Sequence, residues 1–93
     1  MTTIEMNTDM ARNQLGNLNT RIKELTETRK ILIAQAEVLK TVWVSSSADE
    51  FQELHIPKMN ILWSKIQTLI GLSNQLSAAI TIAEQAAEDL SGG

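Results

Sequence analysis

Few residues of this chain could do chemistry. His55 is the sole histidine, it sits near Glu50 and Glu53, and there is no cysteine. Zinc asks for a set of ligands drawn mostly from Cys and His, and one imidazole cannot complete it. A lone histidine beside acids is expected to be solvated. Ser45, Ser46 and Ser47 stand in a row. A serine nucleophile needs a base within reach, and none is evident, so the run reads as a turn. Arg21, Lys23, Arg29 and Lys30 are interleaved with Glu24 and Glu27, the pattern of a solvated helix face. The reading is of a protein that is not an enzyme, with no catalytic, metal-binding or cofactor-binding residue.

Large apolar residues at helical spacing remain. One seam runs through Ala11, Leu15, Leu18, Ile22, Leu25, Arg29, Leu32, Ala36, Leu39 and Trp43, alternating steps of four and three. Strands would need period two, which the segment lacks. Asn7 or Thr8 can cap this helix, with Asp9 in the first turn where the dipole favours an acid. After the serines, Ser47-Ala48-Asp49-Glu50 reads as a capping box. A second seam follows: Phe51, Leu54 or His55, Lys58, Leu62, Lys65, Leu69, Leu72, Leu76, Ala79, Ala83, Ala86 and Leu90. Arg29 and Lys65 lie in these seams and are expected to snorkel outward. Pro57 deletes one backbone bond, which predicts a kink near Leu54–Pro57 or a short lead-in helix.

The predicted architecture is all-α and single-domain. Helix one covers 8–43, a turn 44–47, and helix two 48–90, with a loose tail at Met1–Asn7 and a frayed end at Ser91-Gly92-Gly93. Two rods of about 50 Å or more, at about 1.5 Å per residue, joined by so short a turn must fold back antiparallel. That brings Arg12 near Glu84, Glu88 and Asp89, acids that sit at the unfavourable end of their own helix dipole. Ile31, Ile33 and Val42 widen the stripe of helix one, and Ile61, Ile66, Ile70 and Ile80 widen that of helix two. A hairpin cannot cover two such stripes by itself. The expectation is pairing into a four-helix bundle dimer through Leu18, Ile22, Leu25, Leu32, Leu62, Ile66, Leu69, Ile70 and Leu76.

Composition narrows the classes. The chain has 93 residues, 43% of them hydrophobic and only 3% aromatic, which leaves room for one small core. Net charge is −3, with six bases against five acids up to Trp43 and two against six afterwards. That balance argues against nucleic acid as a partner. The opening MTTIEMNTDM lacks the apolar core of a secretory signal peptide, and no apolar run approaches the roughly 20 residues of a membrane span.

Trp43-Val44-Ser45, with Phe51 eight positions after the tryptophan, resembles the WXG100 (ESAT-6-like) family. The architectural likeness covers nearly the whole chain, and the sharp match is Trp43 through Phe51. The resemblance implies a helical hairpin of the type VII (ESX-like) secretion pathway. Such a chain forms a homodimer, or a heterodimer with a related hairpin or the helical N-terminal domain of a larger toxin. It also implies that Trp43, Ser45 and Phe51 belong to a composite surface read by the secretion ATPase, and that the protein is secreted without a cleavable signal. Two features depart from the family pattern. Ser45 replaces the motif glycine, and the chain has no tyrosine for the family's C-terminal Tyr-x-x-x-Asp/Glu signal. The partner would then supply that half of the signal, which favours a heterodimeric accessory subunit. The sequence by itself also allows a needle or filament subunit of another secretion system, or a cytoplasmic helical chaperone or adaptor. Needle subunits usually carry proline in the turn, whereas the only proline here lies within helix two.

In purely physical terms, Trp43 closes the apolar seam at the turn by lying against Phe51 and Leu54. Trp63 reads as a bundle-packing residue.

Overall fold

The computed structural model describes residues 6–91, which form two helices, α1 (Thr8–Val42) and α2 (Ser46–Ser91), folded back on one another. Most of the expected tail, and Gly92-Gly93, lie outside the described residues. Asn7 caps α1, its side-chain oxygen accepting from the Met10 amide at 3.1 Å, and Asp9 occupies the first turn. That accounts for one of the amide donors every helix start leaves open.

The connection is shorter than the sequence suggested. α1 stops at Val42, and Trp43 is extended (φ −132°, ψ 107°) while its N–H still donates to the Leu39 carbonyl at 2.8 Å. α2 starts at Ser46, because Ser45 and not Ser47 is the cap. The Ser45 hydroxyl accepts from the Ala48 amide at 3.2 Å, and its carbonyl accepts from the Asp49 amide at 3.2 Å. The Ser47–Glu50 capping box therefore does not form; Ser47 lies inside the first turn. At the other end Ser91 is still helical. Pro57 sits inside α2, which continues on both sides of it, so there is no separate lead-in helix. Pro57 and Glu53 are both exposed, and water can satisfy the Glu53 carbonyl that the missing N–H leaves open.

Four side-chain bridges fix the antiparallel register. Arg12 holds Glu84 with two bonds (3.1 and 2.5 Å), the Ser73 hydroxyl donates to the Asn19 side-chain oxygen, Arg29 Nε donates to the Met59 carbonyl at 3.1 Å, and Gln52 donates to the Ala36 carbonyl at 3.0 Å. Between them runs a core one side chain thick: Leu15, Ile22, Ala36, Ala48, Ile66 and Ile80, with the polar Ser73 among them. The line of α2 that meets α1 is thus Ala48, Gln52, Met59, Ile66, Ser73 and Ile80, not the seam through Lys58, Leu62, Lys65 and Leu72 expected from spacing. Apolar residues cover more than half the circumference of α2. Periodicity alone could not choose the line, and hydrogen-bonded Gln52 and Ser73 are accepted into it because their partners are present.

The molecule is a rod of 72 × 21 × 13 Å with a radius of gyration of 21.0 Å. A compact chain of this length would have a radius near 12 Å. Its surface is 7275 Å², where a compact monomer of 10.3 kDa would expose about 5,400 Å².

Candidate functional site

The site begins at the turn. Because Trp43 caps the end of α1 and α2 restarts three residues later, Trp43 and Phe51 meet with ring centroids 5.8 Å apart and planes tilted by 49°. Phe51 in turn stacks on His55, 5.6 Å away at 16°. Tilted and offset contacts of this kind suit the ring quadrupoles. The pile is only partly covered: Trp43 keeps 37% and Phe51 36% of its surface open, and Val42, Val44 and Leu54 around it are more exposed still. Ser45 caps α2 in the connection between the two rings. None of the described residues other than glycine has positive φ, so the serine in place of a motif glycine carries no backbone strain. Its hydroxyl supplies a helix cap that a glycine side chain could not.

His55 is not the solvated residue the sequence suggested. It is half-buried, and its Nε2 is shut from water without a hydrogen-bond partner. It lines a cleft of about 170 Å³ between the helices, together with Arg29, Glu37, Lys40, Gln52 and Met59. Lys40 is paired with Glu37 at 3.0 Å. Arg29, expected to snorkel toward an acid, instead binds the Met59 carbonyl and lays its guanidinium 5.0 Å from the Trp63 ring centre. Within the hairpin Trp63 is a cation–π partner of Arg29 and stays exposed.

The cleft marks one lateral side of the hairpin, since α1 turns Arg29, Ile33 and Glu37 toward it and α2 turns Gln52, Ile56 and Met59. By the 3.6-residue helical repeat, the opposite side is flanked by Leu18, Leu25, Leu32 and Leu39 of α1 and by Leu54, Ile61, Leu62, Leu69, Leu72 and Leu76 of α2. Leu32, Leu54, Ile61 and Leu72 are exposed, and the others are half-buried. Lys58 and Lys65 interrupt this apolar face, and among the described residues nothing covers its four exposed members. Of the residues expected to meet a partner, Leu18, Leu25, Leu32, Leu62, Leu69 and Leu76 lie on it. Ile22 and Ile66 do not: Ile66 has 0% exposure and Ile22 is buried, both being held within the hairpin. Ile70 lies on the cleft side. The widening of the helix-one stripe at Ile31 shows in the structure as a second apolar patch on the outer face of α1, a shallow hollow lined by Ile31, Ala34, Gln35, Val38 and Leu39. Val38, seven residues after Ile31 and not singled out by the sequence reading, belongs to it.

At the far end, the Arg12–Glu84 bridge holds the Glu84 carboxyl below the usual carboxylate range, chiefly through the Arg12 hydrogen bond, and raises the Arg12 guanidinium correspondingly. Among the described residues no cluster of three acids or histidines is placed to hold a metal ion, and no helix is long and apolar enough to cross a membrane.

Fold and surface together define an antiparallel helical hairpin with exposed apolar residues on its leucine side and on the outer face of α1. Comparison with protein-family models, curated proteins and solved structures returns no match.

Proposed function

We propose that this chain is a pairing module of the WXG100-like type. It docks its leucine side against a second helical hairpin, or against the helical N-terminus of a larger toxin, and accompanies that partner through type VII export. The observation that carries this reading is the uncovered face flanked by Leu32, Leu54, Ile61 and Leu72. The surface in excess of a compact monomer is about 1,900 Å², more than the roughly 800 Å² per partner of an ordinary stable interface. Pairing two hairpins along this side produces a four-helix bundle, the arrangement in which such stripes are normally covered. The tip formed by Trp43, Ser45 and Phe51 would be the chain's contribution to the surface read by the secretion ATPase, and the partner would contribute the tyrosine tail.

The test is capture of the native protein from a producing culture, with mass and stoichiometry of the complex, on both the cells and the medium. A one-to-one helical complex in the medium that Ile61→Glu/Leu72→Glu abolishes supports the reading. A complex confined to the cells points to the adaptor role, and long polymers to the filament role.

A further inference from the structure

The cleft at Arg29 and His55 plays no part in the pairing role. It lies between the helices near the turn, and its volume is about 170 Å³. An apolar cavity of about 150 Å³ holds one benzene, so an occupant of this cleft has about six heavy atoms. Ile33, Ile56 and Met59 give it apolar walls. His55 belongs to the wall as well, because its Nε2 is shut from water and is out of reach of a small ligand.

Charge decides the kind of occupant. Arg29, Glu37 and Lys40 are the charged side chains of the lining. Glu37 and Lys40 pair with each other at 3.0 Å, so their charges cancel. Arg29 remains as an uncompensated, half-buried cation. Its Nε donates to the Met59 carbonyl at 3.1 Å and its guanidinium lies 5.0 Å from the Trp63 ring centre. Neither partner is an acid, and among the described residues nothing accepts from the terminal N–H groups of Arg29. The carbonyl and the ring hold the guanidinium plane, so its remaining donors form a fork that loses little freedom on meeting an anion. A half-buried cation also gains more from an anion than a fully solvated one does.

We propose that this cleft binds a short-chain monocarboxylate, with the carboxylate on the Arg29 fork and the hydrocarbon body between Ile33, Ile56 and Met59. Two carboxylate oxygens match the spacing of a guanidinium fork. The lining leaves one positive charge, which suits a monoanion, whereas the second charge of inorganic phosphate would stand uncompensated beside Glu37. The apolar walls have nothing to offer a phosphate and take a short alkyl chain. A free acid and a glutamate side chain of a polypeptide present the same chemistry, a carboxylate on a short apolar stem. The proposal does not depend on pairing along the leucine side.

NMR of the full chain tests this by following the Ile33 and Ile56 methyl groups and the Arg29 Nε–H during titration. The probes are butyrate, its uncharged counterpart butyramide, inorganic phosphate, and a blocked tripeptide with a central glutamate. Butyrate is expected to shift these signals saturably with a Kd in the millimolar range, the scale open to so small a ligand. Butyramide and phosphate should each bind at least about tenfold more weakly, the loss expected for a missing or mismatched charged hydrogen bond. Arg29→Gln should weaken butyrate by a similar factor. So should Ile56→Glu, which changes an exposed position, keeps the fold, and offers Arg29 a carboxylate from the chain itself. Both butyrate and the glutamyl peptide binding supports the site, and the tighter of the two names the source of the carboxylate. Butyramide or phosphate binding as tightly as butyrate overturns the proposal. So does unchanged butyrate affinity in either variant, or no saturable shift up to about 50 mM butyrate.

Discussion

Two isoleucines five residues apart on α2 should behave as opposites. Ile66 is fully enclosed between the helices, whereas Ile61 keeps 55% of its surface open on the leucine side. Truncating a buried isoleucine to alanine costs about 2 to 5 kcal/mol, the transfer of the lost methyls plus the cavity left behind. A core only one side chain thick can close partly over a hole, which places Ile66→Ala near 3 kcal/mol. A chain of this size is stable by about 5 to 14 kcal/mol, so the loss is a large share. Ile61→Ala removes carbons that are more than half in water already and should cost less than about 1 kcal/mol. Urea melts followed by circular dichroism on the isolated protein read both values. Once the leucine side is occupied, the order changes: Ile61→Ala should weaken binding by about 1.5 to 3 kcal/mol, because that surface is then being buried. Titration calorimetry with the partner supplies this number. If Ile61→Ala destabilises the isolated protein as much as Ile66→Ala, the leucine side is already covered in solution and the argument from an open face is wrong.

Arg29→Met removes both the bond to the Met59 carbonyl and the contact with Trp63, and should lower stability by about 1 to 2 kcal/mol. Arg29→Lys should recover little, since an ammonium cannot bond and stack at once; thermal melts of the two variants decide. Ser45→Ala should cost about 1 kcal/mol through loss of the α2 cap, Ser45→Gly a few tenths, and Ser47→Ala almost nothing. Equal effects at positions 45 and 47 would refute the cap assignment. Glu84 titrates lower in the folded protein than in the unfolded chain. Its contribution is present above the ordinary carboxylate range and is lost as pH falls through the folded value. Melting temperature followed from neutral to acid pH should accordingly fall less steeply in Glu84→Gln than in wild type, with little difference between them at the acid end.

Pairings between distant residues were legible in the sequence to within a few neighbours where the short turn fixes the register. A short turn forces antiparallel helices, which places Arg12 near Glu84, Glu88 and Asp89, acids at a helix C-terminus that need a cation; the structure selects Glu84. Trp43 was matched to Phe51 because they flank the same turn. The sequence was ambiguous where several residues offered the same chemistry. Three serines can each cap a helix, and only the backbone geometry assigns that part to Ser45. The cation–π contact of Arg29 with Trp63 and the enclosed nitrogen of His55 depend on how α2 is rotated about its axis, and the hydrophobic repeat does not fix that rotation.

That ambiguity has a physical source tied to the leucine side. A helix that packs on one neighbour shows one apolar line, and the line names the contact. α2 shows two: Ala48, Met59, Ile66 and Ile80 inside the hairpin, and Leu54, Ile61 and Leu72 outside it. The repeat read from sequence is the sum of both, and the lysines in the outer line make it resemble a core seam with charged interruptions. Polar residues tell the two apart better than apolar ones do. Gln52 and Ser73, in the inner line, find hydrogen-bond partners on α1. Among the described residues, Lys58 and Lys65 in the outer line make no hydrogen bond or ion pair to α1. The line whose polar groups are satisfied by the chain is the one the chain uses to fold, and the line whose charges are left over is the one the proposed partner would complete.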